Sequence, residues 1–281
     1  MILFIKKGDF FMFQILLMMF FLSYSKEIFV DNLVGPENLA FDKDSLYISD
    51  YKGLYKADSQ GNLTTVFKGT VDGIAIDKKK NIVYFTGLHE IYKLENGKIT
   101  TISEGYRLAN GLSLCPGNRL IVTDSGIVDL FASNIYEIDL KTGKKKIIVD
   151  DVLGANGSFC DWDKNIFYFA ETFTGKLFAL FPNSKKPVLI TKIHENDGVT
   201  IVDDFTMGKD GYIYLCNFRR GKIIKINPMT GDKEVVVNGL FSPSSVIFSD
   251  NKKFGDGCMY VAQKGPPPFL GKKILKICNF K

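Results

Sequence analysis

The sequence predicts an all-β fold, a six-bladed β-propeller of four-stranded blades. From residue 26 onward, short β-branched and aromatic runs are parted by Gly, Asp, Asn and Lys turns about every 8–12 residues, and no stretch shows helical periodicity. One strand-opening motif recurs six times: at Gly35-Pro36-Glu37, Val71-Asp72-Gly73, Ala109-Asn110-Gly111, Ala155-Asn156-Gly157, Val202-Asp203-Asp204 and Pro243-Ser244-Ser245. Its second position, or third in the first copy, holds Glu37, Asp72, Asn110, Asn156, Asp203 and Ser244, spaced by 35, 38, 46, 47 and 41 residues. That spacing is near the period of one four-stranded propeller blade. Two stacked β-sandwiches would leave the recurrence unexplained.

The elements follow the same order in each unit. The first has strands at 39–41, 46–49, 54–57 and 63–67, the second at 74–76, 82–85, 91–94 and 99–102, and the third at 112–114, 120–123, 135–138 and 147–149. The fourth runs through 158–160, 166–170, 177–180 and 188–190, the fifth through 205–207, 213–216, 223–226 and 235–237. The sixth supplies only 246–248, 259–262 and 274–277, so Glu27-Ile28-Phe29-Val30 is expected to fill its outer edge and close the ring. Such closure removes an exposed strand edge that would otherwise template aggregation.

Ahead of the propeller, expected to span residues 26–281, Lys6 and Lys7 precede the apolar run from Phe10 to Leu22 and then Ser23-Tyr24-Ser25, the pattern of a signal peptide cleaved after Ser25. Met1 and Met12 both stand as initiators. The run is too short for a comfortable membrane span, which needs roughly 20 apolar residues. A secreted protein without a membrane span after cleavage is the expectation. Cleavage removes two lysines and Asp9, taking the formal charge from +5 to +4. That charge is thinly spread, which argues against nucleic acid as a partner. Of the five cysteines, Cys258 and Cys278 fall on the last two strands and could face each other, while Cys115, Cys160 and Cys216 sit at non-equivalent repeat positions and are expected to be buried free thiols. Asn62-Leu63-Thr64 is a glycosylation sequon on a surface turn; Asn156-Gly157-Ser158 also fits, but that asparagine is expected to be buried.

The recurring slot carries the functional argument. In a propeller the first strand of each blade lines the channel, so residues at one equivalent position form a ring about the axis. Glu, Asp and Asn are depleted in strands, and two copies read Asn-Gly, where a tight turn would aim the side chain inward. Single instances are commonly turn formers. Three carboxylates brought together repel unless protons or a cation compensate, and mixed Glu, Asp and Asn oxygens suit calcium, or another divalent ion, at six to eight oxygen ligands. Only two histidines, His89 and His194, occur, neither in the slot, which argues against zinc.

Taken with Asp210-Gly211-Tyr212-Ile213-Tyr214, these motifs resemble the SMP-30/gluconolactonase/luciferin-regenerating-enzyme superfamily over nearly all of residues 30–278, with the paraoxonases and strictosidine synthase as more distant relatives. The resemblance implies a channel metal, often calcium, held by Glu37, Asn156 and Asp203, with Asn110 matching a further ligand of the paraoxonase-like branch. It implies lactone or ester hydrolysis of a small molecule, with the ion polarising the carbonyl and Asp203 as base, Asp72 being the second candidate. Asp72 stands where the paraoxonases place a catalytic histidine, and no glutamate follows Glu234 to match the blade-six glutamate of strictosidine synthase. Arg107 matches an arginine that contacts sugar lactones, whereas the neighbouring substrate-binding asparagine is Ala109 here. Asn110 joins Arg107, Phe173 and Phe218 as candidate substrate contacts, with Phe131 and Phe269 completing an apolar rim suited to an acyl or aromatic group. A binding propeller with a structural ion, engaging a small ligand or a protein, is the alternative.

Overall fold

A computed structural model describes residues 25–125, 133–194, 198 and 200–279. The chain opens with β1 (Ser25–Val30). Blade one takes β2 (Leu39–Phe41), β3 (Leu46–Asp50), β4 (Gly53–Ala57) and β5 (Leu63–Lys68); blade two takes β6 (Ile74–Asp77), β7 (Ile82–Thr86), β8 (Glu90–Glu95) and β9 (Lys98–Glu104). Blade three holds β10 (Ala109–Cys115), β11 (Arg119–Asp124), β12 (Ser133–Asp139) and β13 (Lys145–Val152), and blade four β14 (Ala155–Asp161), β15 (Ile166–Glu171), β16 (Lys176–Leu180) and β17 (Val188–Lys192). Blade five comprises β18 (Phe205–Met207), β19 (Ile213–Asn217), β20 (Lys222–Ile226) and β21 (Lys233–Val237), and blade six β22 (Pro243–Phe248), β23 (Met259–Gln263) and β24 (Lys273–Cys278). Each blade is a four-stranded antiparallel sheet, and β1 pairs with the outer side of β24 to complete the sixth, so the propeller and its closure are as the sequence indicates. The expected leader, apart from Ser25, and Phe131 lie outside the described residues. Among the described residues no helix is long and apolar enough to cross a membrane.

Burial is graded outward from the axis. The second strands β3, β7, β15, β19 and β23 are buried at every residue. They are covered on both faces by neighbouring blades, which is why they read as near-continuous apolar runs such as Ile82-Val83-Tyr84-Phe85 rather than alternating ones. The outer strands, such as β5, face solvent along most of their length. At the closing seam Phe29, Phe41, Phe254 and Tyr260 interlock edge to face, with centroids 5.0 Å apart for Phe29–Tyr260 and Phe41–Phe254. Each such pair adds about 0.5–1.5 kcal/mol beyond its area burial.

Two expectations are corrected. Cys115 and Cys160 are not free thiols but a disulfide joining β10 to β14 with Cα atoms 5.3 Å apart. The inner strands of neighbouring blades run side by side there, and a one-residue offset in their repeat positions still brings the sulfurs together. Cys258 is bonded to Cys278, and Cys216 is a buried free cysteine. Asn110-Gly111 and Asn156-Gly157 do not form tight turns. They lie inside β10 and β14 at register breaks between Ala109 and Leu112 and between Ala155 and Ser158. Glycine is required for proximity: a Cβ on Gly73 or Gly111 would meet the slot carbonyl of the next blade at 2.2 or 2.4 Å.

Candidate active site

The second strands also fix the lead-in to each blade. Their last residues are Asp50, Thr86, Asp124, Glu171, Asn217 and Gln263, polar in every copy. Asp50 Oδ2 accepts from the Val34 N–H at 2.9 Å, Asp124 Oδ1 from Leu108 at 2.7 Å, Glu171 Oε1 from Leu153 at 3.3 Å and Gln263 Oε1 from Phe241 at 2.6 Å. Buried backbone donors need such partners, and these bonds hold the loop that delivers each slot residue.

Hydroxyl groups stitch the slot into a closed ring. Ser49 Oγ donates to the Asp72 carbonyl at 2.6 Å and Thr123 Oγ1 to the Asn156 carbonyl at 2.7 Å. The Asp204 N–H donates to the Ser244 carbonyl at 2.9 Å, and Ser244 Oγ donates to the Pro36 carbonyl at 2.8 Å. With the close approaches of Gly73 to Asn110 and Gly111 to Asn156, and of a Cβ on Gly157 to the Asp203 carbonyl at 2.9 Å, the six copies circle the axis in sequence order.

Within the ring, Glu37, Asp72 and Asp203 are each 5–6% exposed. Asn156 is half-buried rather than buried, yet its Oδ1 is sealed from solvent. Its Nδ2 donates to Thr172 Oγ1 at 3.0 Å, and its amide lies beside the Asp203 carboxylate. Oδ1 of Asn156 and Oδ1 of Asp203 are buried without a hydrogen-bond partner. Buried oxygens are rarely left so. Glu37 Oε2 is instead in an ion pair with Lys264 Nζ, a tight contact that answers for its lack of a conventional hydrogen bond.

The electrostatics match an under-neutralised cluster. Burial first, and then the Glu37 charge, push the Asp203 carboxyl well above the ordinary range, against the opposing pull of Lys264. Asp72 is pushed up to about 7 by burial and then by Glu37, again opposed by Lys264. One step further along the axis, Asp204 accepts from Asn38 Nδ2 at 2.6 Å and from Ser245 Oγ at 3.0 Å, and burial raises it to about 7.

The structure therefore brings Glu37 within electrostatic reach of both Asp72 and Asp203, and the Asn156 amide beside Asp203, with Asn110, half-buried, between Asp72 and Asn156 in the ring. Arg107 stands exposed just before β10, its backbone N–H held by Asp124. Phe173 is 49% exposed, whereas Phe218 is buried with its ring 6.4 Å from that of Phe269. His89 Nδ1 is engaged by the Tyr106 carbonyl, and His194 is exposed. Trp162, at the other end of the channel, donates from Nε1 to the Leu114 carbonyl. One residue escaped the sequence reading, Lys264; beside it Tyr51, on the loop after β3, covers Gly35 so closely that a Cβ there would lie 2.7 Å from its ring.

The donor set fits a hard cation. Among the described residues no three His, Cys, Asp or Glu side chains converge as ligands, so the cage depends on the Asn156 amide as third donor. Two carboxylates and one amide oxygen, two of their atoms buried without partners, are the mixture calcium takes.

Residues 122–255 match the family model of the SMP-30/Gluconolactonase/LRE-like region. No curated protein matches the chain. Among solved structures, a gluconolactonase from Xanthomonas campestris superposes with a TM-score of 0.75 at 12% identity, covering 90% of each chain. A luciferin-regenerating enzyme gives 0.75 at 16% identity over 92% of this chain and 96% of that one. A chain of a nidogen/laminin complex gives 0.61 at 17% identity over 71% of this chain and 79% of that one. At these identities the structural likeness establishes the propeller fold, and the family match shows that residues 122–255 are similar to the SMP-30/Gluconolactonase/LRE-like region.

Proposed function

We propose that this SMP-30/gluconolactonase-like propeller is a secreted, calcium-dependent hydrolase of lactones or esters. The observation that carries the reading is the Asp203 carboxylate lying between Glu37 and the Asn156 amide, with Oδ1 of Asn156 and of Asp203 buried without partners. The gluconolactonase likeness of the fold and the family match point to the same chemistry. Glu37, Asn156 and Asp203, joined by Asn110, would hold the ion, and Thr172 turns the Asn156 carbonyl oxygen into the ring by accepting from its Nδ2. When bound, calcium supplies Lewis-acid polarisation of a carbonyl.

The chain's own residues do the rest. Asp203 takes a proton from the attacking water, whose oxygen bonds to the acyl carbon as the ester C–O bond breaks and the leaving oxygen is protonated. Asp72 is the second carboxylate in reach. Phe173, Phe218 and Phe269, with Tyr51, give the mouth an apolar wall suited to an acyl or aromatic group, and Arg107 stands at the rim for polar substituents. Two disulfides accord with an oxidising, extracellular setting.

The test is a panel of lactones and aryl esters with calcium and with chelator. Calcium-dependent turnover that Asp203→Asn abolishes is expected. Bound calcium with no turnover of any member would leave the second reading, a binding propeller that engages a small ligand or protein, which the Lys264–Glu37 ion pair and the fold likeness to the nidogen/laminin chain favour.

A further inference from the structure

Lys264 is the first residue after β23 and opens the loop through Gly271 at the mouth of the channel. The loop's backbone is pinned. The Gly271 N–H donates to the Lys264 carbonyl at 2.8 Å and the Gly265 N–H to the Phe241 carbonyl at 3.2 Å, while Leu33 and Gly35 donate to the carbonyls of Lys272 and Gly271. The lysine side chain points into the ring, toward Glu37. Its side chain is 12% exposed, that of Glu37 6%, and Nζ lies 5.0 Å from the Phe269 ring centroid and 5.4 Å from that of Tyr51. The ammonium is thus enclosed by one carboxylate and two aromatic faces, each of which favours a cation.

We propose that Lys264 is a tethered counter-ion of the carboxylate ring, competing with the divalent cation for Glu37, so that the cation enters only as the lysine side chain is expelled. This rests on the cation site proposed above. A single ammonium cannot neutralise the ring. It satisfies Glu37 but leaves Oδ1 of Asn156 and of Asp203 without partners. A doubly charged ion with six to eight oxygen ligands reaches all three side chains at once and is the better match. The lysine's advantage is its tether. Held at the site, it acts at an effective concentration on the order of millimolar, which raises the external ion concentration needed to displace the ammonium. Released, the four-carbon stem carries the ammonium past Tyr51 and Phe269 into the mouth, and the loop backbone stays where it is. The protein so described is stable without the ion and responds to it, whereas a ring of bare carboxylates would be held open by its own repulsion.

Calcium titration by calorimetry on the wild type and Lys264→Met is the first test. The variant is expected to bind at least about tenfold more tightly, a difference of about 1.4 kcal/mol, and, in chelator, to melt at a lower temperature than the wild type. The second test uses the unaltered protein, so it does not depend on the variant folding. Lysine acetylation read by mass spectrometry, normalised to Lys209, whose side chain is 68% exposed, is expected to rise severalfold at Lys264 when calcium saturates. Equal calcium affinity in the two forms with calcium-insensitive labelling of Lys264 would overturn this proposal and leave the cation site standing. Weaker binding by Lys264→Met would overturn it as well, by making the lysine a support of the site. Absence of calcium binding in both forms would remove the cation reading together with this one.

Discussion

The two ends of the inner strands carry the same kinds of residue and put them to opposite use. Five positions separate Glu37 from Asp42, Asp72 from Asp77, and Asn156 from Asp161. At the far end each carboxylate is spent on its own turn. Asp42 Oδ1 accepts from Asp44 and Ser45 N–H at 2.7 and 2.6 Å, Asp77 Oδ1 from Lys79 and Lys80 at 3.1 Å, and Asp161 Oδ1 from Asp163 and Lys164 at 3.0 Å. At the near end, Oδ1 of Asn156 and of Asp203 have no such partner, and Glu37 is met by a lysine from another blade. An Asp at a strand end is therefore a turn former or a site residue according to whether its local backbone satisfies it. Residue type alone does not decide.

That contrast can be broken in order of effect. Asp203→Asn is expected to lower kcat by about 10²–10⁴, the usual worth of a positioned base; its melting temperature should hold or rise, because a buried, repelled carboxylate is removed. Steady-state kinetics beside calorimetry checks both halves. Replacing Cys115 and Cys160 together by serine should cost about 2–4 kcal/mol of stability in denaturant titration, since the bridge closes a separation of 45 residues, while leaving kcat near wild type. At the turn end, Asp161→Ala should cost about 1–2 kcal/mol through two lost backbone acceptor contacts, again with activity retained. A fall in activity as large as that of Asp203→Asn would erase the distinction between the two ends.

The cluster also predicts a pH dependence. Asp72 and Asp204 are each raised to about 7 by burial, above the value near 4 of an unfolded aspartate. The folded state then holds protons that the unfolded state releases, so in chelator stability is greatest at the acid end of this window and declines as pH rises from about 4 to about 7. Asp72→Asn should flatten part of that decline in melting curves taken across the window. A melting temperature that climbs over the same range in chelator would contradict the cluster's electrostatics.

Much of this was legible because it repeats. The period from Glu37 to Ser244 gives the blades, the closure by 27–30 follows from the missing strand of blade six, and the ring follows from equivalence of position. What stayed hidden does not repeat. Cys115 lies five residues after its slot residue and Cys160 four after its own, and that offset concealed a bond between neighbouring blades. The register breaks at Asn110-Gly111 and Asn156-Gly157 come from close strand approach, which no single-strand pattern records. Lys264 sits in the position after the second strand that holds Tyr51, Gly87, Ser125, Thr172 and Phe218 in the other blades, so its charge appears in one copy only. A lone lysine aimed at a mouth ringed by acids was the available signal.

Glu37, Asn156 and Asp203 are proposed to form a cation cage that the chemically similar residues at the strands' far ends do not. Anomalous diffraction from crystals of the protein grown with terbium, a calcium surrogate, tests it most directly. One strong peak is expected among the Glu37, Asn156 and Asp203 oxygens, with Lys264 Nζ withdrawn from Glu37. Terbium bound only at Asp42, Asp77 or Asp161, or bound nowhere while Lys264 remains on Glu37, would contradict it.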